Sequence, residues 1–193
     1  MSTTVDKKKR SRLSADQARS LIFSSARHAF SRAGYDSVGV REIAASADID
    51  PAMVSRLFGS KEALFAQIAE EAFSLEAPFD GPLDQIGSRI TDHLLQPIIK
   101  DNEPEFDEFQ FLLRSIGSPS AAPILSRALH NGFIVPLSRK LSTDAAEERA
   151  ALATAYVIGF AVLRVALYEP SLVRPKSSSV ASLLAQALQA CLE

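Results

Sequence analysis

The chain has 193 residues, of which 47% are hydrophobic and 23% are charged, a composition typical of a globular protein with a sizeable core. The N-terminal stretch MSTTVDKKKRSRLS is polar and basic, and no apolar run approaches the roughly 20 residues that cross a bilayer. We therefore expect neither a secretory signal nor a membrane partner. A single cysteine, Cys191, excludes an internal disulfide framework and favours the cytoplasm. Three scattered histidines predict no metal site, and no motif predicts a cofactor.

The net charge of −2 conceals an uneven distribution along the chain. Residues 1–65 hold 11 Lys/Arg against 7 Asp/Glu, whereas residues 66–193 hold 10 against 16. A basic head on an acidic body indicates that only the head meets a polyanion, although a chance fluctuation of surface charge is an equal alternative.

Helical periodicity dominates the pattern from the start of the chain, and strand signals are weak. Ser14 and Gln17 have the spacing of a capping box, and the first helix is expected to end at Gly34. A short second helix is predicted over residues 40–46. A third follows over 51–58, with Asp50 as N-cap and a proline at its first position, and a fourth over 61–77.

Five further helices are predicted with loose boundaries, over residues 83–100, 105–116, 120–141 with a bend near Pro136, 144–168 and 177–192. The predicted fold class is therefore all-α, with about nine helices. We divide the chain into a disordered basic arm (1–13), a head of three helices (14–60) and a helical body (61–193), in which residues 61–77 form a connecting helix.

The three helices of the head match the helix-turn-helix geometry of DNA-binding proteins. Val54 and Phe58 are expected to face the core of the head, and the N-terminal end of the third helix is the part that meets base edges in such motifs. The candidate DNA-contacting residues of this helix are Pro51, Ala52, Met53, Ser55 and Arg56.

Lys61 is a cation in the first turn of the fourth helix, where it opposes the helix macrodipole. A DNA phosphate at that helix N-terminus would accept both the amide N–H groups and the lysine charge. The alternative is a solvated lysine that extends away from the dipole.

The segment IFSSARHAFSRAGYDSVGVREIAASADIDPAMVSRLFGSKEALF resembles the N-terminal domain of the TetR family of transcriptional regulators. The resemblance implies a DNA-binding homodimer whose C-terminal body senses a small ligand. It also implies that Arg41 contacts DNA from the second helix and that Lys61 binds a phosphate. The sequence departs from the family at Ser55, where tyrosine is usual, and at Leu57, where histidine is frequent, so we expect Arg56 to compensate.

The basic run that precedes the first helix contributes Lys8, Lys9 and Arg10 as further DNA-binding candidates. With a DNA-binding head assigned, we favour an arm that follows the minor groove or the phosphates. The alternative is a solubilising tail.

Two late apolar helices are candidates for association with a second copy of the chain. Their predicted interface residues are Leu163, Leu167, Leu184 and Leu188. Either stripe could instead be core within one chain, but a two-turn reading helix contacts only a few base pairs, which favours two copies.

The middle helices are rich in phenylalanine and predict an apolar cavity for a small molecule. The candidate ligand-binding residues are Phe109, Leu113, Arg114, His130, Phe133, Tyr156 and Phe160, with His93 and Asn131 as further polar candidates. The alternative is that these phenylalanines are plain core.

These features together predict a ligand-responsive transcriptional regulator, foremost a repressor that a mostly apolar effector releases from double-stranded operator DNA. An all-α enzyme or carrier with an incidental helix-turn-helix is a second interpretation, and a protein-interaction adaptor is a third. No nucleophile–base pair, metal cluster or phosphate loop supports the enzyme, so we expect no catalytic activity.

Overall fold

The computed structural model describes residues 13–74, 80–96, 106–173 and 179–193. The predicted basic arm, including Lys8, Lys9 and Arg10, lies outside these residues apart from its last position. Over the described residues the secondary structure is helical and contains no strand, which confirms the predicted all-α class.

The head contains the helices that the sequence predicts, with closely matching boundaries. Ser14 Oγ accepts the backbone N–H of Gln17 at 3.1 Å while Gln17 Oε1 accepts the N–H of Ser14 at 2.9 Å, so the capping box is present. The helices are α1 (Ala15–Ala33), α2 (Val40–Ser46), α3 (Pro51–Phe58) and α4 (Lys61–Ala72).

The connecting helix α4 ends at Ala72, five residues before its predicted end. Phe73 turns into the core, and its carbonyl lies against the backbone of Gly132, where an added Cβ would be 2.5 Å from that oxygen. This contact comes from a segment almost 60 positions away, so local periodicity does not reveal it.

The body consists of short helices interrupted by two π-helical turns. They are α5 (Ile86–Leu94), α6 (Glu108–Ser115), α7 (Ala122–Leu129), α8 (Val135–Ser138), α9 (Ala146–Ala161), α10 (Pro170–Val173) and α11 (Ser179–Leu192). The π-turns are His130–Ile134 between α7 and α8 and Val162–Ala166 after α9. The first π-turn replaces the predicted bend near Pro136, which has no N–H for a regular helical hydrogen bond.

The buried side chains form two hydrophobic cores. The first joins the three head helices and the connecting helix α4 to α6 and α7, and the second is built from α5, α8, α9, α11 and the first π-turn. The first core therefore contains residues on both sides of position 60, where the sequence predicts the boundary between head and body. The two parts are not packed as separate units at that position.

An aromatic cluster is the centre of the first core. The Phe65 ring of α4 lies 5.1 Å from Phe30 of α1, 4.9 Å from Tyr35 and 4.6 Å from Phe111 of α6, as measured between ring centroids. These separations are within the range in which aromatic pairs attract each other beyond simple area burial. One residue of α4 thus ties the head to the body.

Arg164 is a buried cation that closes the C-terminal end of α5. Its guanidinium donates to the carbonyl oxygens of Leu94, Leu95 and Gln96, which the helix itself leaves unpaired. Desolvation lowers the pKa of the guanidinium below its usual value. The second π-turn, which carries Arg164, is therefore attached to α5 by these hydrogen bonds.

The continuous helical segment Ala146–Ala166 corrects the expectation that no run is long and apolar enough to span a bilayer. It has 21 residues, and an 18-residue window within it has a mean hydropathy of 1.5, which meets the requirement by length and composition. Its buried side chains, among them Ala153, Val157 and Phe160, belong to the second core. An apolar outer face adds to the hydropathy, so the segment is a core helix with a second apolar surface.

Gly87 allows α5 and α11 to approach closely, and its replacement by alanine is expected to destabilise the chain. The added Cβ would lie 2.5 Å from the carbonyl oxygen of Ala185, so the helices would have to separate. We expect a loss of roughly 1–3 kcal/mol in unfolding free energy, measured by chemical denaturation. Gly117→Ala is the matched control, because nothing lies within 4 Å of its added Cβ. Equal stability of the two variants would contradict this packing.

Candidate DNA-reading face and effector cavity

The exposed face of α3 contains most of the residues predicted to read DNA. Pro51, Ala52, Ser55 and Arg56 are exposed, whereas the opposite side of the helix is buried in the first core. Asp50 Oδ1 accepts the N–H of Ala52 at 2.8 Å and caps the helix start. The structure thus presents the four side chains together on one accessible helix face.

Met53 and Leu57 are half-buried and pack against the first core. Arg19 of α1 holds the end of α3 in place, since its guanidinium donates to the Leu57 carbonyl at 2.8 Å and stacks 4.4 Å over the Phe58 ring. The leucine at position 57 therefore has a packing role. Arg19 is absent from the sequence-based candidates, because nothing local marks an exposed arginine on α1 as a partner of α3.

The side chain of Lys61 is partly buried and has a partner within the protein. Its Nζ donates to the Tyr35 carbonyl at 2.8 Å and lies 4.1 Å from the centroid of the Tyr35 ring. An ammonium has three hydrogens to donate, so this contact positions the charge at the start of α4 and leaves donors for an anion. The structure thus gives Lys61 a second role, in addition to the predicted phosphate contact.

Tyr35 links the turn after α1 to the first turn of α4. Its hydroxyl donates to Glu62 Oε1 at 2.7 Å, and this hydrogen bond holds the pKa of the Glu62 carboxyl below its usual value. Burial, reinforced by Glu62, raises the pKa of the Tyr35 phenol. Arg41 is exposed on α2, the other helix predicted to contact DNA.

A shallow groove of about 680 Å³ lies between α1 and α4 and is lined by both acidic and basic side chains. Its two arginines already have partners in the protein. Arg27 forms an ion pair with Glu71 at 2.5 Å and stacks 4.2 Å over Phe106, while Arg19 donates to Gln67 Oε1 at 2.6 Å. We therefore regard the groove as part of the junction between head and body.

A small, partly open apolar cavity lies in the body beside the end of α4. Its volume is only about 30 Å³, enough for one or two water molecules. It is lined by Ala72, Phe73, His93, Glu108, Phe109, Leu112, Leu129, Phe133, Thr154, Val157 and Ile158. Phe109 and Phe133 of the predicted ligand set line it, as does the additional candidate His93.

The other predicted ligand residues lie outside this cavity. Arg114 is exposed, because it is two positions from Leu112 and so on the opposite side of α6. His130 Nδ1 lies 3.9 Å from the Glu147 carboxylate, and Leu113 is half-buried away from the cavity. Tyr156 and Phe160 line a different depression on the outer face of α9. Sequence spacing identified helices that contribute to the cavity wall but did not establish which face of each turns inward.

Glu108 is the acidic residue of the cavity wall and the first residue of α6. Desolvation by burial raises the pKa of its carboxyl, and the neighbouring Asp107 charge adds to the effect, while a hydrogen bond from the Glu108 backbone N–H and the charges of His93 and Arg27 act against it. Among the described residues no cation lies within salt-bridge distance of this carboxylate. No sequence pattern singled out Glu108 as a candidate.

The outer face of α9 and the following π-turn presents apolar side chains to solvent. Leu163 is 44% exposed and Leu167 is 66% exposed. Leu152 and Tyr156 of α9 and Leu183 of α11 are exposed as well. Between α9 and α11 lies an apolar depression of about 430 Å³. Exposed apolar areas of this kind are typical of protein interfaces.

Leu188 does not face outward as the sequence predicts, whereas Leu184 is largely buried but lines the depression between α9 and α11. Leu188 is 0% exposed and Leu184 is 8% exposed, and both pack in the second core against α5 and α9. The apolar stripe of α11 therefore serves the core of its own chain. Leu183, which is 64% exposed, is the large apolar side chain of α11 that faces solvent beside them.

Comparison with known proteins identifies two matching family models. Residues 22–68 match the bacterial regulatory proteins of the tetR family, and residues 84–192, more than half of the chain, match the tetracyclin repressor-like C-terminal domain. A search of curated proteins finds none that matches the chain.

Solved structures support the same fold. A TetR-family regulator from Streptomyces coelicolor A3 is 28% identical, with a TM-score of 0.62 over 94% of this chain and 98% of that one. A transcriptional regulator from Rhodococcus sp. Rha1 is 24% identical, with a TM-score of 0.60 over 90% and 92%. NalD from Pseudomonas aeruginosa, a repressor of a multidrug efflux pump, is 15% identical, with a TM-score of 0.60 over 93% and 98%. At these last two identities the likeness concerns the fold alone.

The raised pKa of Glu108 predicts a pH-dependent stability difference between the wild type and Glu108→Gln. The folded chain binds the Glu108 proton more tightly than the unfolded chain, so ionisation disfavours folding. The destabilisation of the folded chain by the ionised Glu108 carboxylate is absent well below the ordinary glutamate pKa of 4.5. It grows as the pH rises from that value through the higher pKa of the folded chain. We therefore expect the variant to have the higher Tm at pH 7 and a similar Tm at pH 4.

Calorimetry at both pH values measures this difference, with Glu148→Gln as control because Glu148 is an exposed glutamate of α9. A Tm for Glu108→Gln that is below that of the wild type at pH 7 would contradict the assigned burial.

Proposed function

Because the chain belongs to the TetR family of transcriptional regulators, which are ligand-responsive DNA-binding proteins, we propose that it is a homodimeric repressor. In this proposal it acts in the cytoplasm, binds a double-stranded operator, and leaves it when a mostly apolar small molecule enters the body. It carries out no catalytic step.

One observation carries the proposal: α4 belongs to both sites. Its first residue, Lys61, is held on Tyr35 beside the exposed face of α3. Its C-terminal end, Ala72 and Phe73, forms part of the cavity wall. A ligand that widens the cavity therefore displaces the helix that positions the DNA-reading head.

DNA recognition in this proposal comes from one reading helix in each of two subunits. Ser55 and Arg56 meet base edges, and Arg41, Lys61 and the basic arm at Lys8, Lys9 and Arg10 contact the backbone. Pro51, Ala52 and Met53 complete the contact surface at the start of α3. Arg56 carries more of the specificity than Ser55, because a guanidinium can donate two hydrogen bonds to guanine.

The second subunit would pack on the exposed apolar face of α9, the second π-turn and Leu183. Burial of Leu163, Leu167 and Tyr156 between two copies supplies the apolar area that stable homodimers require. The depression of about 430 Å³ between α9 and α11 would accept side chains of the partner.

The effector in this proposal binds a state in which the cavity is wider. At about 30 Å³ the cavity accepts no organic ligand, so binding requires the phenylalanines of its wall to move. The backbone contact between Gly132 and Phe73 transmits that movement to the end of α4. Ligand and operator then favour different states of one equilibrium and weaken each other's binding.

The alternative functions receive less support. A carrier requires a preformed site that encloses its cargo, and the cavity is nearly filled by side chains. An adaptor that binds an acidic protein does not explain why a helix-turn-helix precedes a body with an internal cavity beside α4.

Replacement of Arg56 by alanine is expected to reduce operator affinity by roughly 5- to 150-fold while it changes affinity for unrelated DNA much less, as for a lost base contact. Mobility-shift titrations with the DNA flanking the protein's own gene, repeated at several salt concentrations, measure both affinities. Arg139→Ala, an exposed cation of the body, is the control. If wild-type protein shows no sequence preference at any salt concentration, the proposal fails.

Leu167→Glu is expected to convert the dimer into monomers, because it places a carboxylate within the proposed apolar interface. Sedimentation velocity measures the association state, and operator affinity should fall together with it. Ile116→Glu changes another exposed apolar residue, 51% exposed against 66% for Leu167, outside this face and serves as the control. A dimer that survives Leu167→Glu with unchanged operator affinity would place the interface elsewhere.

A further inference from the structure

We propose that the effector is an amphipathic organic cation, whose protonated amine or quaternary ammonium group pairs with the carboxylate of Glu108. Its apolar body would lie among the rings of Phe73, Phe109 and Phe133. This inference rests on the proposed function, since it assigns a chemical class to the molecule that releases the operator.

The charge balance of the cavity supports a cation. The wall combines three aromatic rings and several aliphatic side chains with one carboxylate, Glu108, and one histidine, His93. The hydroxyl of Thr154, its other polar side chain, already donates to the Ala150 carbonyl at 2.8 Å. Glu108 is therefore the acidic group of a largely apolar wall, and among the described residues no cation pairs with it.

The charged groups that face Glu108 from neighbouring helices do not neutralise it. Asp107 adds negative charge, and its Oδ1 accepts the N–H groups of Phe109 and Gln110 at 2.9 Å each. Arg27 of α1 pairs with Glu71 and stacks on Phe106. His93 of α5 lies outside salt-bridge distance of Glu108, so a bound cation would be its first ion-pair partner among the described residues.

Each ligand charge has a different consequence at this carboxylate. A neutral ligand removes water from Glu108 without replacing its hydrogen bonds, and an anion adds repulsion in a poorly solvated site. A cation pairs with the carboxylate and is also attracted to the faces of the surrounding rings. The cavity wall therefore favours a cation over neutral or anionic molecules of the same size.

The wall also has a segment that can rearrange. Phe133 lies within the π-turn His130–Ile134, where the backbone hydrogen bonds span five residues in place of four. A return of this turn to α-helical register would rotate Phe133, and the adjoining Gly132 would move against the Phe73 carbonyl. Entry of the cation is thereby coupled to the end of α4.

Three ligands with the same phenylbutyl body test the inference: 4-phenylbutyltrimethylammonium, 4-phenylbutan-1-ol and 4-phenylbutyrate. The quaternary ammonium does not titrate, so its charge is constant. Isothermal titration calorimetry at pH 8 measures binding to the full chain, and fluorescence anisotropy of labelled operator measures release. We expect the cation to bind at least about tenfold more tightly than the alcohol and to be the strongest releasing ligand.

Glu108→Gln keeps the shape of the side chain and removes its charge. We expect it to weaken cation binding at least about tenfold and to leave alcohol binding unchanged. Glu148→Gln, which changes net charge equally on the exposed surface of α9, should leave both affinities unchanged. Circular dichroism of each variant establishes that it is folded.

The possible outcomes separate the inference from the proposed function. If the alcohol or the acid binds as tightly as the cation and releases the operator, the cation assignment is wrong and the ligand-responsive repressor stands. If Glu108→Gln weakens the binding of all three ligands equally, the residue has a structural role and the cation assignment is also wrong. If no ligand binds and none releases the operator, both this inference and the proposed effector cavity are contradicted.

Discussion

The packing of Phe65 between the head and the body is the interaction on which the rest of the structure depends. Its ring contacts Phe30 and Tyr35 on the head side and Phe111 on the body side, so both parts share one hydrophobic core. Because such a core is densely packed, α4 cannot shift at one end without a response at the other. In this chain, a ligand-responsive DNA-binding transcriptional regulator, the candidate DNA-reading face and the cavity are thus joined by packing as well as by sequence.

The contacts around Tyr35 extend this constraint to the start of α4, beside the candidate DNA-reading face. Its carbonyl and ring hold Lys61, its hydroxyl holds Glu62, and its backbone N–H donates to Ser115 Oγ of α6 at 3.1 Å. The start of α4 is therefore positioned by a turn that is itself attached to the body. This arrangement explains how a lysine that opposes the helix macrodipole is tolerated at that place.

Local sequence patterns predicted the head in detail. Ser14 and Gln17 specify the start of α1, and Asp50 with Pro51 specifies the start of α3, because capping acts between residues only a few positions apart. The exposed face of α3 followed from helical spacing once Val54 and Phe58 were placed inside. Patterns of this kind need no knowledge of the remaining chain, which is why the helix-turn-helix and the all-α class were predictable.

The sequence by itself thus determined the helices of the head, the exposed face of α3 and the family to which the chain belongs. Only the tertiary structure decided where α4 ends, that Leu188 faces its own core, and that Tyr156 faces outward while Glu108 lines the cavity. The physical reason is that an apolar stripe on a helix predicts that this surface will be buried but does not predict which segment will pack against it. That choice depends on contacts between distant segments, such as Gly132 with Phe73, which no local pattern encodes.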